Sequence, residues 1–573
     1  MWCARLDRCA LGPARLLRPY APRSCPGGLV NSRLLGAAAV LTVLTTLGSA
    51  PTPAASQPGE GRTEAGPTRG KGLPLGAPGL TETRTTRTLQ PGVTLTRIVR
   101  GADTAALPWT VEVSIPGGAA SPDPDAPPAV IRDTASAREL TATLRAEGFD
   151  ARTEQVRAPA VADHPGGTLG SRVRVGTYDT EAAANAVRTR LRTAGHTGSA
   201  VYTGWDGAST DKGRWRIDVL TIDPRTFDGS LTASYGPDLE RRETTSALAA
   251  AQGASAAVNA GFFVLDPRSG APGDPAGVGI YDGRLLSEAV NGRPALVVRD
   301  NGSGSHVTRL TWKGTVTGHG TMRPLDGVNR VPGLIRNCGG TADDRPTHRP
   351  LHDTTCTDQA ELVAFTPQFG ASTPPGEGLE AILDHTGRVR EVRSPRGGAL
   401  PKDGSSVQAT GDAVTDLMAF AHVGDRLRVR GTLRDGDGRP YAPSRRTDVV
   451  NGGPELVRNG RIHITAATDG MVQPGNPSFD YGWVLKRNPR TLAGVDAAGR
   501  TILVTADGRS TESLGLSIPE SAAVARSLGL REAVNLDGGG STTMVVDGQV
   551  VNRPSDASGE RPVGDALLIL PKR

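Results

Sequence analysis

At 573 residues the chain is long enough for two or three domains, and its 118 Gly and Pro residues (74 and 44) with only 4% aromatics exclude a helical bundle. The net charge of +6 comes mainly from residues 1–33, where six Arg face the single acid Asp7; beyond Ala50 the chain is near neutral, which excludes a nucleic-acid footprint.

Taken in chain order, the basic stretch is followed by an uncharged run over 34–47 and then by Gly48, Ser49 and Ala50. That run is short and rich in Thr and Ala, so residues 1–50 read as a secretory signal region, with Val30 as an alternative start and an uncleaved membrane anchor as the competing reading. Residues 51–85 carry few large apolar side chains and read as a Pro/Gly/Thr-rich linker. Strand-like segments follow at 91–98 and 109–116. Residues 137–152 and 184–199 then repeat one another at an offset of 47, pairing Leu140 with Val187, Leu144 with Leu191 and Gly148 with Gly195. Each copy predicts an amphipathic helix closed by glycine and flanked by strands. The run from Arg172 to Tyr178, RVRVGTY, followed by a helix, resembles the SPOR family. That resemblance implies a ferredoxin-like module, taken here as 86–206, that binds peptidoglycan glycan strands.

From about residue 213 to 571 short β-rich runs alternate with Gly/Asp turns. Asp547-Gly548 marks a hairpin between Val-rich arms. Helices are predicted at 244–253 and from Ser517, a capping box with an early proline, to Gly529. The fold class expected is α+β, built mainly on sheet. Cys3, Cys9 and Cys25 fall in the leader, so Cys338 and Cys356 are left as one even pair, which suggests a disulfide in an exported chain. Their loop also holds His348 and His352 beside Asp343, Asp344 and Asp353. Pro346 and Pro350 forbid the helix that would align the two His, so no metal is assigned, and no cofactor signature is present.

Four segments look out of place in a purely structural sheet: AAVNAGFF (256–263), DVVNGGPELVRNGRI (448–462), a long run over 488–517, and the run over 532–570 that contains NLDGGGSTTMV. In three of them an apolar strand leads to Asn or Asp and then Gly, which brings a polar group out beside closely approachable backbone. Together they resemble the phosphodiester glycosidase family, from about Arg216 to Leu570. The resemblance implies hydrolysis between a sugar anomeric carbon and a phosphate. Arg490, Arg509 and Arg561, with Gly538, Gly539, Gly540, Ser541 and Thr542, are the expected phosphate ligands. Asp537 is the first choice of catalytic carboxylate and Glu512 the second. Asn259, Asn451 and Asn535 would orient sugar hydroxyls or water, and Gly452 is expected beside Asn451 in the substrate-binding set. The reading is a secreted, cell-wall-associated hydrolase acting on a carbohydrate phosphodiester, with no nucleic acid or lipid bilayer as partner after signal cleavage. Its rivals are a metal-dependent phosphodiesterase, a polysaccharide glycosidase without phosphate, and a non-catalytic wall-binding protein. The strand-like segment at 91–98 resembles the opening of the glycosidase domain, so the SPOR-like module is either inserted there or preceded by a duplicated opening.

Overall fold

The computed structural model describes residues 64–65, 72–102, 107–116, 126–341 and 349–572. Residues 1–50, read above as a signal region, and most of the stretch read as linker lie outside these residues, as do Asp343, Asp344, Pro346 and His348.

A nine-stranded antiparallel sheet organises the chain. Its order is Glu64–Ala65, Glu82–Gln90, Val93–Arg100, Trp215–Ile222, Thr501–Ala506, Arg490–Asp496, Leu530–Asn535, Glu455–Arg458 and Arg461–Ile462. Residues 72–85 are therefore not all linker. Leu73 and Leu75 are buried in a core, and Glu82–Gln90 is a strand. Its side chains are exposed or half-buried along its length, so no apolar face announces it in the sequence. Strand Val93–Arg100 pairs along its whole length with Trp215–Ile222, from Val93 opposite Ile222 to Arg100 opposite Trp215. The SPOR-like module is thus inserted between two neighbouring strands, and the segment at 91–98 belongs to the large sheet.

Two five-stranded sheets complete the scaffold. One runs Gln549–Val550, Met544–Val546, Ala256–Asn259, Ala566–Leu570 and Ser230–Ser234; the other runs Arg284–Ser287, Gly279–Tyr281, Thr447–Asn451, Pro294–Arg299 and His306–Arg309. Leu220, Val258, Leu296, Val450, Leu503, Val534 and Leu567 from all three sheets meet in one core. Helix Ile518–Ser527 packs against the large sheet and starts with the expected capping box: Ser517 accepts from the Glu520 N–H while the Glu520 carboxylate accepts from the Ser517 N–H. Helix Thr245–Gln252 is capped by Thr244 and ended by Gly253 at φ 67°. The Asp547-Gly548 hairpin turn has both residues at positive φ, 51° and 74°. Residues 311–434 form a further lobe with its own core around Leu325, Leu383, Val407 and Phe420.

The inserted module is ferredoxin-like: four antiparallel strands in the order Ala151–Ala158, Gly167–Tyr178, Trp109–Val113, Gly198–Tyr202, with helices Thr134–Ala146 and Glu181–Thr193 packed on them. The two helices begin 47 residues apart, as the internal repeat requires, and Leu144 and Leu191 are both fully buried. Strand alternation sends Val111, Val173 and Val175 toward the helices and Glu112, Arg172 and Arg174 to the other face. That face is covered by the segment Pro477–Asp480 and Tyr481–Leu485: the Tyr481 hydroxyl donates to Glu112 at 2.9 Å, and Ser478 Oγ accepts from the Val130 and Ile131 N–H groups. Arg174 donates to Glu112 at 2.9 Å and to Asp206 at 2.5 Å, and these guanidinium partners hold the buried Asp206 carboxyl down at about 2.

Candidate active site

The four sequence motifs converge, and their asparagines are the stitches. Asn259, at the end of strand Ala256–Asn259, donates to the Asp537 carbonyl at 2.7 Å, and its Oδ1 accepts from Thr491 Oγ1 and the Thr543 N–H. Asn451 clasps the main chain of Phe262, accepting from its N–H and donating to its carbonyl, both at 3.0 Å. Asn535 donates to the carbonyls of Gly453 and Leu536. All three are buried. Five of their six side-chain polar atoms are spent on the surrounding chain, which positions the motifs and leaves little to orient sugar hydroxyls or water; the sixth, Asn535 Oδ1, is buried without a protein partner. Gly452 has the matching role, since a Cβ there would lie 2.8 Å from Val534 and 2.9 Å from the Asn535 carbonyl.

Asp537 sits where this network ends, half-buried, its own N–H donated to the Ala260 carbonyl at 2.9 Å. It lines a small cavity of about 30 Å³ with Phe262, Arg336, His352, Asp353, Trp483, Ser541 and Arg561. The glycines after Asp537 make a tight turn rather than an open nest. The N–H groups of Gly538, Gly539 and Ser541 go to Asp537 Oδ1, the Pro489 carbonyl and the Gly538 carbonyl. Gly539 needs its freedom because φ is 59°, and Gly540 because Arg561 and Asp556 would lie within 2.3 Å of a Cβ. The hydroxyls of Ser541 and Thr542 are buried without a protein partner, and Ser541 is the one on the cavity wall.

The remaining predicted residues divide. Arg561 is on the wall, paired through Nε to Asp556 at 2.7 Å. Arg490 lies behind the turn, its Cα 3.6 Å from a Cβ built on Gly538. It is 1% exposed, donates to the carbonyls of Leu516 (3.0 Å) and Trp483 (2.5 Å), and makes no ion pair among the described residues; burial pushes it down to about 9. Arg509 and Glu512 lie instead in an adjoining cavity of 320 Å³ with Asp507 and Arg553. Glu512 is exposed there and paired with Arg553, so it is not brought to Asp537. The sequence spacing could not reveal this, because Arg509, at φ 54°, turns the chain away just after strand Thr501–Ala506.

Sequence reasoning missed His352 as a site residue and considered it only as a metal ligand. The disulfide between Cys338 and Cys356 is present and joins strands Leu334–Cys338 and Pro350–Thr357, which bring Arg336, His352 and Asp353 to the cavity. Arg336 and Asp353 form an ion pair. His352 is buried among Phe262, Phe479 and Trp483, with ring centroids 4.6, 6.2 and 5.3 Å away. Arg293 donates to its Nδ1 at 3.2 Å, which places the imidazole proton on Nε2. Burial first, and then the charges of Arg293, Arg336 and Arg490, push His352 well below the usual imidazole range. Arg293 itself is buried over the Phe262 ring and is pushed down to about 10, mainly by burial. The cavity wall therefore combines two carboxylates, Asp537 and the Arg336-paired Asp353, one neutral imidazole N–H and the guanidinium groups of Arg336 and Arg561. A larger cavity of 660 Å³, lined by Asp274, Glu288 and Trp312, lies across the wall formed by residues 262–277 and 334–338, and Arg336 borders both.

The fold is thus an α+β scaffold of sheets with a ferredoxin-like insertion, and its motifs meet at a small cavity lined by carboxylates, an imidazole and guanidinium groups. Residues 377–570 match the phosphodiester glycosidase family and residues 129–203 the SPOR domain, so the chain carries one domain of each family. The crystal structure of a Burkholderia pseudomallei protein assigned to export is 35% identical and superposes with a TM-score of 0.77 over 89% of this chain and all of that one. N-acetylglucosamine-1-phosphodiester alpha-N-acetylglucosaminidase from Mus musculus is 40% identical over 105 residues, 18% of this chain and 20% of that protein. Its Homo sapiens counterpart is 29% identical over 210 residues, 33% of this chain and 39% of that protein. The chain thus spans well under half the length of these curated relatives.

Proposed function

We propose that this chain is an exported hydrolase that cleaves the C1–O bond of a glycosyl phosphodiester of the N-acetylglucosamine-phosphate kind, releasing sugar and phosphomonoester. The observation that carries this reading is the excess of guanidinium groups at the Asp537 cavity: Arg336 and Arg561 on its wall, with Arg293 and Arg490 buried behind it. A buried cation of that sort is costly unless an anion arrives to pair with it. A neutral polysaccharide would offer none.

In this mechanism the guanidinium groups and the Ser541 hydroxyl neutralise the phosphate, a leaving group good enough to need little proton donation. Neutral His352 donates its Nε2–H to a phosphate oxygen. The Asp537 carboxylate meets the developing oxocarbenium ion, as nucleophile or as base toward water. The enclosed space fits a phosphate oxygen or a water, so the sugar and the aglycone lie at its mouth. The SPOR domain supports a cell-wall setting, with peptidoglycan glycan strands as its ligand and a wall or capsule polymer as the substrate source. The disulfide and the relationship to a protein assigned to export support secretion.

The test is hydrolysis of a GlcNAc-α-phosphodiester in water enriched in heavy oxygen, followed by mass spectrometry. Label in the sugar and none in the phosphate is the expected result. Label in the phosphate would make the chain a phosphodiesterase that breaks P–O, and turnover of simple glycosides alone would remove phosphate from the reading.

A further inference from the structure

The lobe at 311–434 carries a second cluster of chemistry-bearing side chains, and none of them lines the Asp537 cavity. His319 stands in the two-residue turn between strands Thr311–Gly318 and Thr321–Leu325, at φ 48° with Gly320 at φ 76°, the left-handed pair such hairpins require. His422 and Asp425 follow helix Ala413–Met418 and precede strand Arg428–Arg434. The fold brings the two segments together through the backbone. Thr317 pairs with Arg428, Gly318 packs against Phe420, and Arg323 pairs with Asp416 at 2.8 Å.

We propose that His319, His422 and Asp425 bind a divalent transition-metal ion of the zinc or nickel kind. One donor atom from each lies within 4.8 Å of the others. His319 Nε2 is 2.8 Å from Asp425 Oδ1, and His422 Nδ1 is 3.1 Å from Asp425 Oδ2. In a tetrahedral site with ligands at about 2.0–2.1 Å, neighbouring donors stand roughly 3.3 Å apart, so a small adjustment of exposed side chains brings the three donors to that spacing. Two imidazoles and a carboxylate suit zinc and nickel better than magnesium or calcium, which favour all-oxygen shells. The carboxylate is already oriented: Oδ2 accepts the His422 N–H at 2.8 Å, an outer contact of the kind that fixes a ligating carboxylate. The His side chains are 58% and 68% exposed, so the ion has an open path and its remaining positions take water. Bound there, it ties the hairpin turn to the segment after the helix.

The test is calorimetric titration of the chelator-stripped full chain with Zn²⁺, in parallel with His319→Ala and His422→Ala. Both substituted side chains are exposed, and circular dichroism checks that each variant is folded. The expected result is one equivalent of Zn²⁺ bound by the wild type, at least roughly tenfold weaker in each variant, with a Zn²⁺-dependent rise in Tm that the variants lack. Co²⁺ in place of Zn²⁺ should give visible bands without the thiolate charge-transfer absorption that the leader cysteines would produce. Equal binding by wild type and variants, no binding at all, or a thiolate spectrum overturns the proposal.

Discussion

Asp537 and Asn259 show how residues within one motif set divide their labour. Both belong to strand-end motifs of Asn or Asp followed by Gly, yet only Asp537 turns its side chain to the cavity, while Asn259 holds the Asp537 carbonyl. Asp537→Asn should lower turnover by roughly 10³-fold or more, with Tm and circular dichroism unchanged; near-wild-type rates would remove Asp537 from the mechanism. His352→Ala removes one hydrogen-bond donor to the departing phosphate and should cost roughly 10²- to 10³-fold in kcat, the usual range for loss of one such donor. Because His352 is held well below the imidazole range, it stays neutral as pH falls through about 6.5. The acid limb of kcat/KM should therefore show no ionisation near 6.5. A rate loss centred there, absent from the His352→Ala variant, would mean the imidazole is not depressed.

Among the elements, the segment Tyr481–Leu485 joins the SPOR domain to the site: Tyr481 bonds Glu112, Trp483 lines the cavity, and the Trp483 carbonyl accepts from Arg490. Glu112 is the hub, in contact with Arg174, Tyr481 and Lys486. Glu112→Ala leaves buried guanidinium groups short of a counter-charge and should destabilise by about 3–5 kcal/mol, read from the urea midpoint. Tyr481→Phe removes one hydrogen bond, costing about 1 kcal/mol, and should lower kcat severalfold by loosening Trp483. The disulfide closes a loop between residues 18 apart in sequence, so its loss in Cys338→Ser/Cys356→Ser should cost about 3 kcal/mol. It should also lower activity, since the bridged strands carry His352 and Arg336.

For the whole molecule, pH dependence follows from buried groups that oppose each other. Burial raises Asp480, Asp507 and Asp565 to about 6, above the unfolded value of about 3.9. Between those values the native state holds the extra protons, so these three groups add stability as pH falls from 7 toward 4. His352 acts with the opposite sign below about 6.5, where only the unfolded chain takes up its proton. Asp206, held near 2, contributes fully above about 4 and loses that contribution progressively as pH falls from about 4 to about 2. Thermal unfolding should thus show greatest stability in mildly acidic solution and a decline below about pH 4. Asp507→Asn should raise Tm at pH 7 and lose much of that advantage by about pH 5; an advantage independent of pH would contradict the burial argument.

Much of the fold is legible in the residues, because local signals and tertiary outcome agree. The 47-residue repeat, the Ser517 capping box, the Asp547-Gly548 turn and the Cys338–Cys356 pair each act over a short stretch of chain or through a scarce residue type. The sequence by itself also pointed to segments that come together, since the four motifs do meet. It could not determine which side chains in them face the cavity. That choice depends on strand register and on which backbone groups need partners, and so the asparagines went to carbonyls and N–H groups. Nor could it give the insertion of the SPOR domain, since the pairing of Val93–Arg100 with Trp215–Ile222 joins strands separated by the whole module. His352 emerged only in three dimensions: its chemistry comes from Arg293, Phe262 and Trp483, residues distant along the chain that folding packs around one imidazole.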